Sequence, residues 1–464
     1  MNSASRAGRS IGFFSLFCIA IGVIVGQSTI VSLLQATGIA GWGFLGAMAI
    51  AYGLMLCNSA TYAELALMMP RHGGLSANCE ASLGHFPAIF AVFAGYVVPA
   101  LFGPAAELLL VDSVMSQLLP GVMPAMGWAV LLLGTLVVLN FLGTNVFART
   151  QTLLVVVMLL FLTLTGAVAL QGGFSGAPAS GAGGTAVLAA FSKDISVLSV
   201  VSLVLYSLIG TEFVTPLVEE AKQPARDIPR AMFIGLTVVT AANALFCVGA
   251  TLFMSREALT TAPTPHLDYV VAVFGPLAKI VFGAIAVTAT ASLINTVLGA
   301  LPQMMHGMAQ SGQVFPVFRH LSARYRTPWV ALLFVAGLPI VGIVWSRGDV
   351  TRILPLILAA AGAWLISYMI AHLALIVLRL RLPDAPRPFR APLFPLPQLL
   401  AIIGLGYVVV NSAPVPELEA PVFTALAIVL GGVALVGAVW VKFFMKKGLF
   451  VPNPAIVGAA IRGP

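Results

Sequence analysis

Gly26-Gln27-Ser28-Thr29 interrupts an apolar run from Ile11 to about Leu33. Tyr206-Ser207-Leu208-Ile209-Gly210-Thr211-Glu212 interrupts a second run, from about Ile195 to Val218. Each broken run opens a block of five apolar segments. In lipid, unwound backbone is tolerated only where protein or a polar cavity satisfies its N–H and C=O groups. Two breaks in matching positions of two halves therefore point to a binding site near the middle of a membrane.

The surrounding chain agrees. Its 464 residues are 60% hydrophobic and 8% charged, with a mean hydropathy of +1.04, too little polar surface for a soluble protein of this size. A spanning helix needs about 20 apolar residues. Twelve candidates lie near 11–33, 42–68, 85–117, 124–142, 150–170, 195–218, 230–253, 269–300, 328–345, 351–377, 396–412 and 421–443. The expected fold is an all-α integral membrane protein of twelve helices. The first run is too long for a secretory h-region and lacks a small-x-small cleavage site, so it is read as the first span.

An even number of spans puts both termini on one side. With the termini inside, 18 of the 23 Lys and Arg lie on inner segments and 4 on outer ones, Lys279 falling within the eighth span. By the positive-inside rule both termini are cytoplasmic. The net charge of +8 is thus a topology signal, and no nucleic-acid partner is needed to explain it. An odd block of five helices reverses direction when repeated. Residues 1–170 (helices 1–5) and 195–380 (helices 6–10) then form two inverted repeats, with 171–194 an outer linker and 381–464 holding helices 11 and 12 and the tail. Gln171–Thr185 is rich in Gly, Ser, Ala and Pro and reads as a flexible loop. Pro302–Thr327 reads as an inner connector, and Pro383–Pro397 as a proline-dense inner loop.

At the first break Gly26 frees the backbone, and Gln27, Ser28 and Thr29 bring polar atoms into an apolar run. Unpaired amides at a half-helix N-terminus favour a carboxylate, and carbonyls at a facing C-terminus favour an ammonium. Together the breaks suit a zwitterion, carboxylate at helix 1 and amine at helix 6. The competing structural explanation is a glycine allowing close packing, with hydroxyls bonded to the preceding turn. Glu212, inside a membrane helix, is costly unless paired, protonated or facing water, which makes it a candidate proton-responsive or gating group. The alternative is a neutral glutamic acid bracing the unwound segment. Glu64 fits either an inner-gate ion pair or a solvated carboxylate, Glu107 is ambiguous, and Asp112 reads as interfacial. Ser292, Asn295 and Thr296 offer a polar lining or sodium site in helix 8, or simple backbone back-bonding. Tyr206, Tyr96 and Phe102 are aromatic lids or packing. The six histidines and four cysteines show no metal spacing, no Ser/His/Asp grouping or phosphate loop occurs, and no cofactor is expected.

These motifs resemble the amino acid–polyamine–organocation superfamily of transporters along most of the chain. The resemblance rests on Ile24–Ser28, on Tyr62-Ala63-Glu64-Leu65 followed by Pro70-Arg71-His72-Gly73-Gly74, and on Asn140-Phe141-Leu142-Gly143 with Gln151. It continues through Tyr206–Glu212, Glu219–Arg230, Gly312-Gln313-Val314-Phe315-Pro316, Thr327-Pro328 and Arg387–Pro392. It implies a LeuT-type fold of five plus five inverted helices working by alternating access. It implies an α-carboxylate against the backbone at Gly26, Gln27 and Ser28, with Val25 and Thr29 as flanking substrate-binding residues. An α-amine would lie against carbonyls near Ser207, Leu208, Ile209 and Gly210, beneath Tyr206 as an aromatic gate. In arginine–agmatine exchangers of this family the glutamate matching Glu212 is linked to pH response.

Three departures stand out. The family's usual Gly-Ser-Gly is here Gly26-Gln27-Ser28, with a longer amide where a small residue is common. A helix 5 lysine that replaces a sodium ion in many relatives is Met158 here. Met-Ala-Arg-Asp-Gly after helix 8 is Met308-Ala309-Gln310-Ser311-Gly312. The expectation is a secondary transporter of the cell (inner) membrane for amino acids or closely related amines. Exchange or proton-influenced uptake is favoured over sodium coupling, with Glu212, Glu107, Glu64 and Asn295 as coupling or gating residues. The alternatives are a polyamine or organic amine carrier, in whose pocket Glu107 would matter, or a transport-dead sensor or channel. Its partners would be the small-molecule substrate and the lipid bilayer, and a homodimer is compatible with the sequence.

Overall fold

The computed structural model describes residues 10–69, 74–174, 191–192, 196–413 and 416–457. The Pro70-Arg71-His72-Gly73 motif, most of the Gln171–Thr185 loop and both chain ends lie outside them. The described residues form helices and connecting turns, with one isolated β-bridge between Ile11 and Ala221. Nine helices among them are long and apolar enough to cross a membrane.

The first expected span is two helices, α1 (Phe13–Ile21) and α2 (Gln27–Ala40). Then come α3 (Gly43–Met68), α4 (His85–Leu118), the shorter α5 (Gly127–Phe141) and α6 (Thr144–Leu170). The sixth expected span, Leu198–Leu217, is α-helical only over α7 (Val201–Tyr206). It is followed by α8 (Pro224–Phe253), α9 (Ala278–Gln310), α10 (Trp329–Ser346), α11 (Arg352–Arg381), the shorter α12 (Leu396–Val410) and α13 (Pro416–Phe444).

Polarity is inverted relative to a water-soluble protein. Gln27, Asn58, Glu64, Glu107, Gln151, Glu212 and Asn295 are fully buried, whereas Ile280, Val344 and Ile403 are about 70% exposed. Apolar side chains outward and polar ones inward is the arrangement a bilayer selects. With no hydrophobic drive between helices in lipid, small residues set the crossings. Gly166 on α6 shows this: a Cβ there would stand 2.7 Å from the Leu245 carbonyl of α8.

Local rules set the ends. Pro224 opens α8 at a position whose N–H has no intrahelical partner, and Asp227 follows in the first turn. The amides of Met126, Trp128 and Ala129 at the start of α5 donate to Asp112, which therefore acts as a helix cap. α9 carries on through Pro302 to Gln310, so the first third of the expected connector Pro302–Thr327 is helical. A proline costs one hydrogen bond, and a long, well-buried helix absorbs that loss.

Candidate substrate site at two helix breaks

The first break lies one turn earlier than the sequence suggests. Gly22–Gly26 are non-helical, and Gln27, Ser28 and Thr29 form the opening turn of α2. Gly26 is extended (φ −120°, ψ 171°) and has no side chain to cap the helix. Thr29 takes part of that role: its Oγ1 accepts from the Gly26 N–H (2.8 Å) and lies 2.9 Å from the Gly26 carbonyl. The amides of Gln27 and Ser28 remain, pointing out of the helix with its positive dipole end.

Glu107 of α4 takes both. Its Oε2 accepts from Gln27 N (2.9 Å) and Thr290 Oγ1 (2.9 Å), and its Oε1 from Ser28 N (2.9 Å) and Ser28 Oγ (2.7 Å). Thr290 in turn accepts from Gln27 Nε2 at 2.9 Å. The carboxylate expected at these amides is thus present, and it belongs to the chain itself.

The second break follows Tyr206. Ser207–Gly210 are non-helical and Thr211–Leu217 form a tight 3₁₀ stretch. Gly210 has φ +131°, a conformation that L side chains rarely adopt, so a glycine is needed there. Ser207 Oγ donates back to the Val204 carbonyl. Glu212 is fully buried; Trp364 Nε1 of α11 donates to its Oε1 at 3.2 Å, and Phe213 packs edge-on against the same indole.

The fold brings the two breaks together. A Cβ on Gly210 would stand 3.0 Å from Val23, and Ser28 Oγ lies 3.4 Å from the Tyr206 hydroxyl. Beside them is a cavity of about 40 Å³, room for a few waters. Val23, Thr29, Tyr206, Ile209, Phe213 and Trp364 line it, with Pro99, Ala100, Gly103 and Pro104 of α4 and Leu293 of α9. Val25, Gly26, Gln27, Ser28, Ser207, Leu208 and Gly210 do not line it, nor do Glu107 or Phe102, the latter packing on Trp345. Tyr96 is buried against Phe213. On the far side of the unwound segment, Thr215, Pro216, Glu219 and Glu220 border a polar cavity of about 460 Å³, together with Gln303, His306 and Arg326.

Asn295 sits in a network of neutral side chains behind the first break. Ser292 Oγ donates to the Gly22 carbonyl (2.9 Å), Gln151 Nε2 to Ser292 (2.7 Å), Asn295 Nδ2 to Gln151 Oε1 (2.7 Å) and Asn140 Nδ2 to Asn295 Oδ1 (2.7 Å). Met158 is buried on α6, outside these bonds. Glu64 lies elsewhere, fully buried. Arg379 donates to both its oxygens, Arg387 lies 3.2 Å away and Ala391 N donates at 2.7 Å. It is an ion-paired carboxylate and not a solvated one. Nothing local in the sequence marks Thr290, Trp364 or the arginine partners of Glu64 as site residues, because each meets its partner across a long stretch of chain.

Residues 11–435 match the amino acid permease family. The chain belongs to that family. The serine/threonine exchanger SteT of Bacillus subtilis is 26% identical over 416 residues, covering 86% of this chain and 90% of the relative. The branched-chain amino acid permease BcaP of the same species is 23% identical over 437 residues (87% and 88%), and the mouse b(0,+)-type amino acid transporter 1 is 24% identical over 445 residues (89% and 84%). Among solved structures, Mhp1, a nucleobase-cation-symport-1 family transporter in a closed conformation, aligns with a TM-score of 0.56 at 17% identity over 98% of this chain and 99% of that one. A point mutant of the Eremococcus coleocola manganese transporter aligns with a TM-score of 0.62 at 13% identity, covering 93% and 95%. These likenesses show a shared transporter fold. The permease is therefore a multi-pass membrane protein of a family of secondary amino acid transporters.

Proposed function

We infer that this permease carries amino acids or closely related amines by alternating access, with the substrate held where the two helix breaks meet. The contact of Gly210 with Val23 carries this reading, because it puts both unwound segments at one buried point. Non-helical backbone at membrane depth persists only where it lines a cavity or is enclosed by protein, and both conditions hold here. The nine long helices, the two shorter ones (α5, α12) and the split pair α1–α2 support a reading of twelve spans. Residues 1–170 and 195–380 are the two inverted repeats, linked by 171–194, with 381–464 appended. The charge bias supports cytoplasmic termini in a cell inner membrane, so the polar cavity beside Glu219 and Glu220 is the inner access path.

Exchange is favoured over sodium coupling. The Gly22 carbonyl, freed by the first break, accepts a hydrogen bond from Ser292, and Gln151 and Asn295 complete a neutral network around it. Glu212 is the coupling group: it reaches Trp364 at the cavity wall and stands two residues past Gly210.

The test is uptake of labelled substrate into liposomes holding the purified protein, with and without unlabelled substrate inside. Uptake that requires internal substrate establishes exchange; uptake into empty liposomes driven by an imposed pH gradient makes it a proton symporter. Glu212→Gln is expected to flatten the pH dependence of transport in either mode. An unchanged pH profile removes Glu212 from coupling.

A further inference from the structure

We propose that Glu107 is a built-in replacement for the substrate's carboxylate, so that the preferred substrate is a primary monoamine with an apolar body and no carboxyl group. The inference rests on the transport reading above and names the substrate class of that same site.

The amides of Gln27 and Ser28 are where a substrate carboxylate would be held, and Glu107 already fills them. A carboxylate offers about four acceptor positions. Glu107 uses four: two backbone amides and the hydroxyls of Ser28 and Thr290. There is no slack around it. It is fully buried, and a Cβ on Gly26 would stand 2.7 Å from its Oε1. A substrate carboxylate would have two choices. It would displace Glu107 into an apolar cavity, stripping a charged group of every partner, or it would lie beside a like charge. Both are expensive in a site shielded from water.

An ammonium meets the opposite situation. The negative charge of Glu107 is only partly offset by the dipole of α2, equivalent to about half a charge. Gln27 adds an acceptor: it is fully buried, its Nε2 is committed to Thr290, and its Oε1 has no partner among the described residues. Such an orphaned oxygen suits an N–H donor. The adjoining cavity is walled by Val23, Ile209, Phe213, Leu293, Ile357 and Trp364. Among the described residues no acidic side chain lines it, and Glu107 and Gln27 stand behind its wall rather than on it; one ammonium placed toward them leaves the rest of the substrate among apolar side chains, which suits a monoamine better than a diamine.

Matched pairs test this on the full-length protein in proteoliposomes: 3-methylbutylamine against leucine, 2-phenylethylamine against phenylalanine, and 1,4-diaminobutane against ornithine. The monoamines are expected to compete roughly 100-fold more strongly than their parent amino acids, the scale of a like-charge penalty. Glu107→Ala, which empties the amides, is expected to shift the preference toward the amino acids. The wild-type comparison stands without that variant if it fails to fold. Parent amino acids that compete as well as their amines would overturn the proposal and leave the transporter reading intact, with Glu107 displaced by substrate. A diamine that outcompetes both monoamines would also overturn it. No uptake of any compound would sink the transport reading together with this one.

Discussion

The two broken helices use the same backbone device and finish it differently. At the first, the freed amides of Gln27 and Ser28 are closed by Glu107, and the freed Gly22 carbonyl by Ser292. At the second, Ser207 bonds only its own preceding turn, Thr211 Oγ1 meets Ser59 Oγ at 3.0 Å, and Glu212 accepts from Trp364. Breaking a helix leaves donors at one end and acceptors at the other. The protein supplies an anion for the donors at the first break, and closes the carbonyls at the second with neutral donors, Ser32 Oγ on Leu203 and the amides of Ser207 and Leu208 on Val204 and Leu205. Fixed first break and adjustable second break is the division that the contacts imply, and substitutions can break it.

The largest effect is expected at Gly26. A Cβ there meets Glu107 Oε1 at 2.7 Å and Leu293 at 2.9 Å, so Gly26→Leu drives a side chain into the carboxylate and its four partners. Binding and transport should be abolished. Overpacking of this kind also costs about 1–3 kcal/mol of stability. Circular dichroism together with substrate-dependent thermal shift separates loss of the site from loss of the fold. Retained affinity would remove the first break from the site.

The breaks were legible in the sequence because glycine and polar residues stand out inside an apolar run. The placement of the first was off by a turn for a physical reason. Gln27-Ser28-Thr29 reads as an interruption, yet short polar side chains also favour the opening turn of a helix, and here they do that. The roles of the carboxylates were less legible. Glu107 meets Ser28, 79 residues away, and Glu64 meets Arg379, 315 residues away, and neither spacing leaves a local pattern. Trp364 and Thr290 were silent: a lone tryptophan or threonine in an apolar helix looks like packing until the fold shows the carboxylate beside it. Asp112 reads as interfacial, and its role as the cap of a helix fourteen residues away is what the sequence does not show.

A paired substitution compares the two breaks directly. Ser28→Ala removes a hydroxyl that donates to a charged group at 2.7 Å, worth about 1.5–3 kcal/mol. Ser207→Ala removes only a back-bond to the Val204 carbonyl, worth about 0.5–1 kcal/mol. Thermal unfolding of both variants in detergent should rank them in that order. Equal losses would mean that the first break is no more tightly held than the second.

A further effect, on the scale of the Ser207→Ala loss, concerns how the second break is tied to the first. Past Leu217 the chain turns back, and the Glu220 carbonyl accepts from Ser10 N and Ile11 N while Lys222 N donates to Ile11. The exit of one broken helix is thereby pinned to the start of the other. Glu220 carries a carboxyl at this joint, outside the membrane-spanning segments, and burial pushes it up from 4.5 to about 7, with Glu219 adding to the shift. A raised carboxyl favours the neutral folded form. Its stabilising contribution is complete below about pH 4.5 and is lost as pH rises through about 7. Glu220→Gln fixes the neutral form, so its melting temperature relative to wild type should rise between pH 5 and pH 8. The gain at pH 8 should be roughly 1 kcal/mol, allowing for the partial exposure of the side chain. A difference that stays constant across that window would show that the joint holds equally well with a charged carboxylate, and that the protonation of Glu220 does not tie the second break to the first.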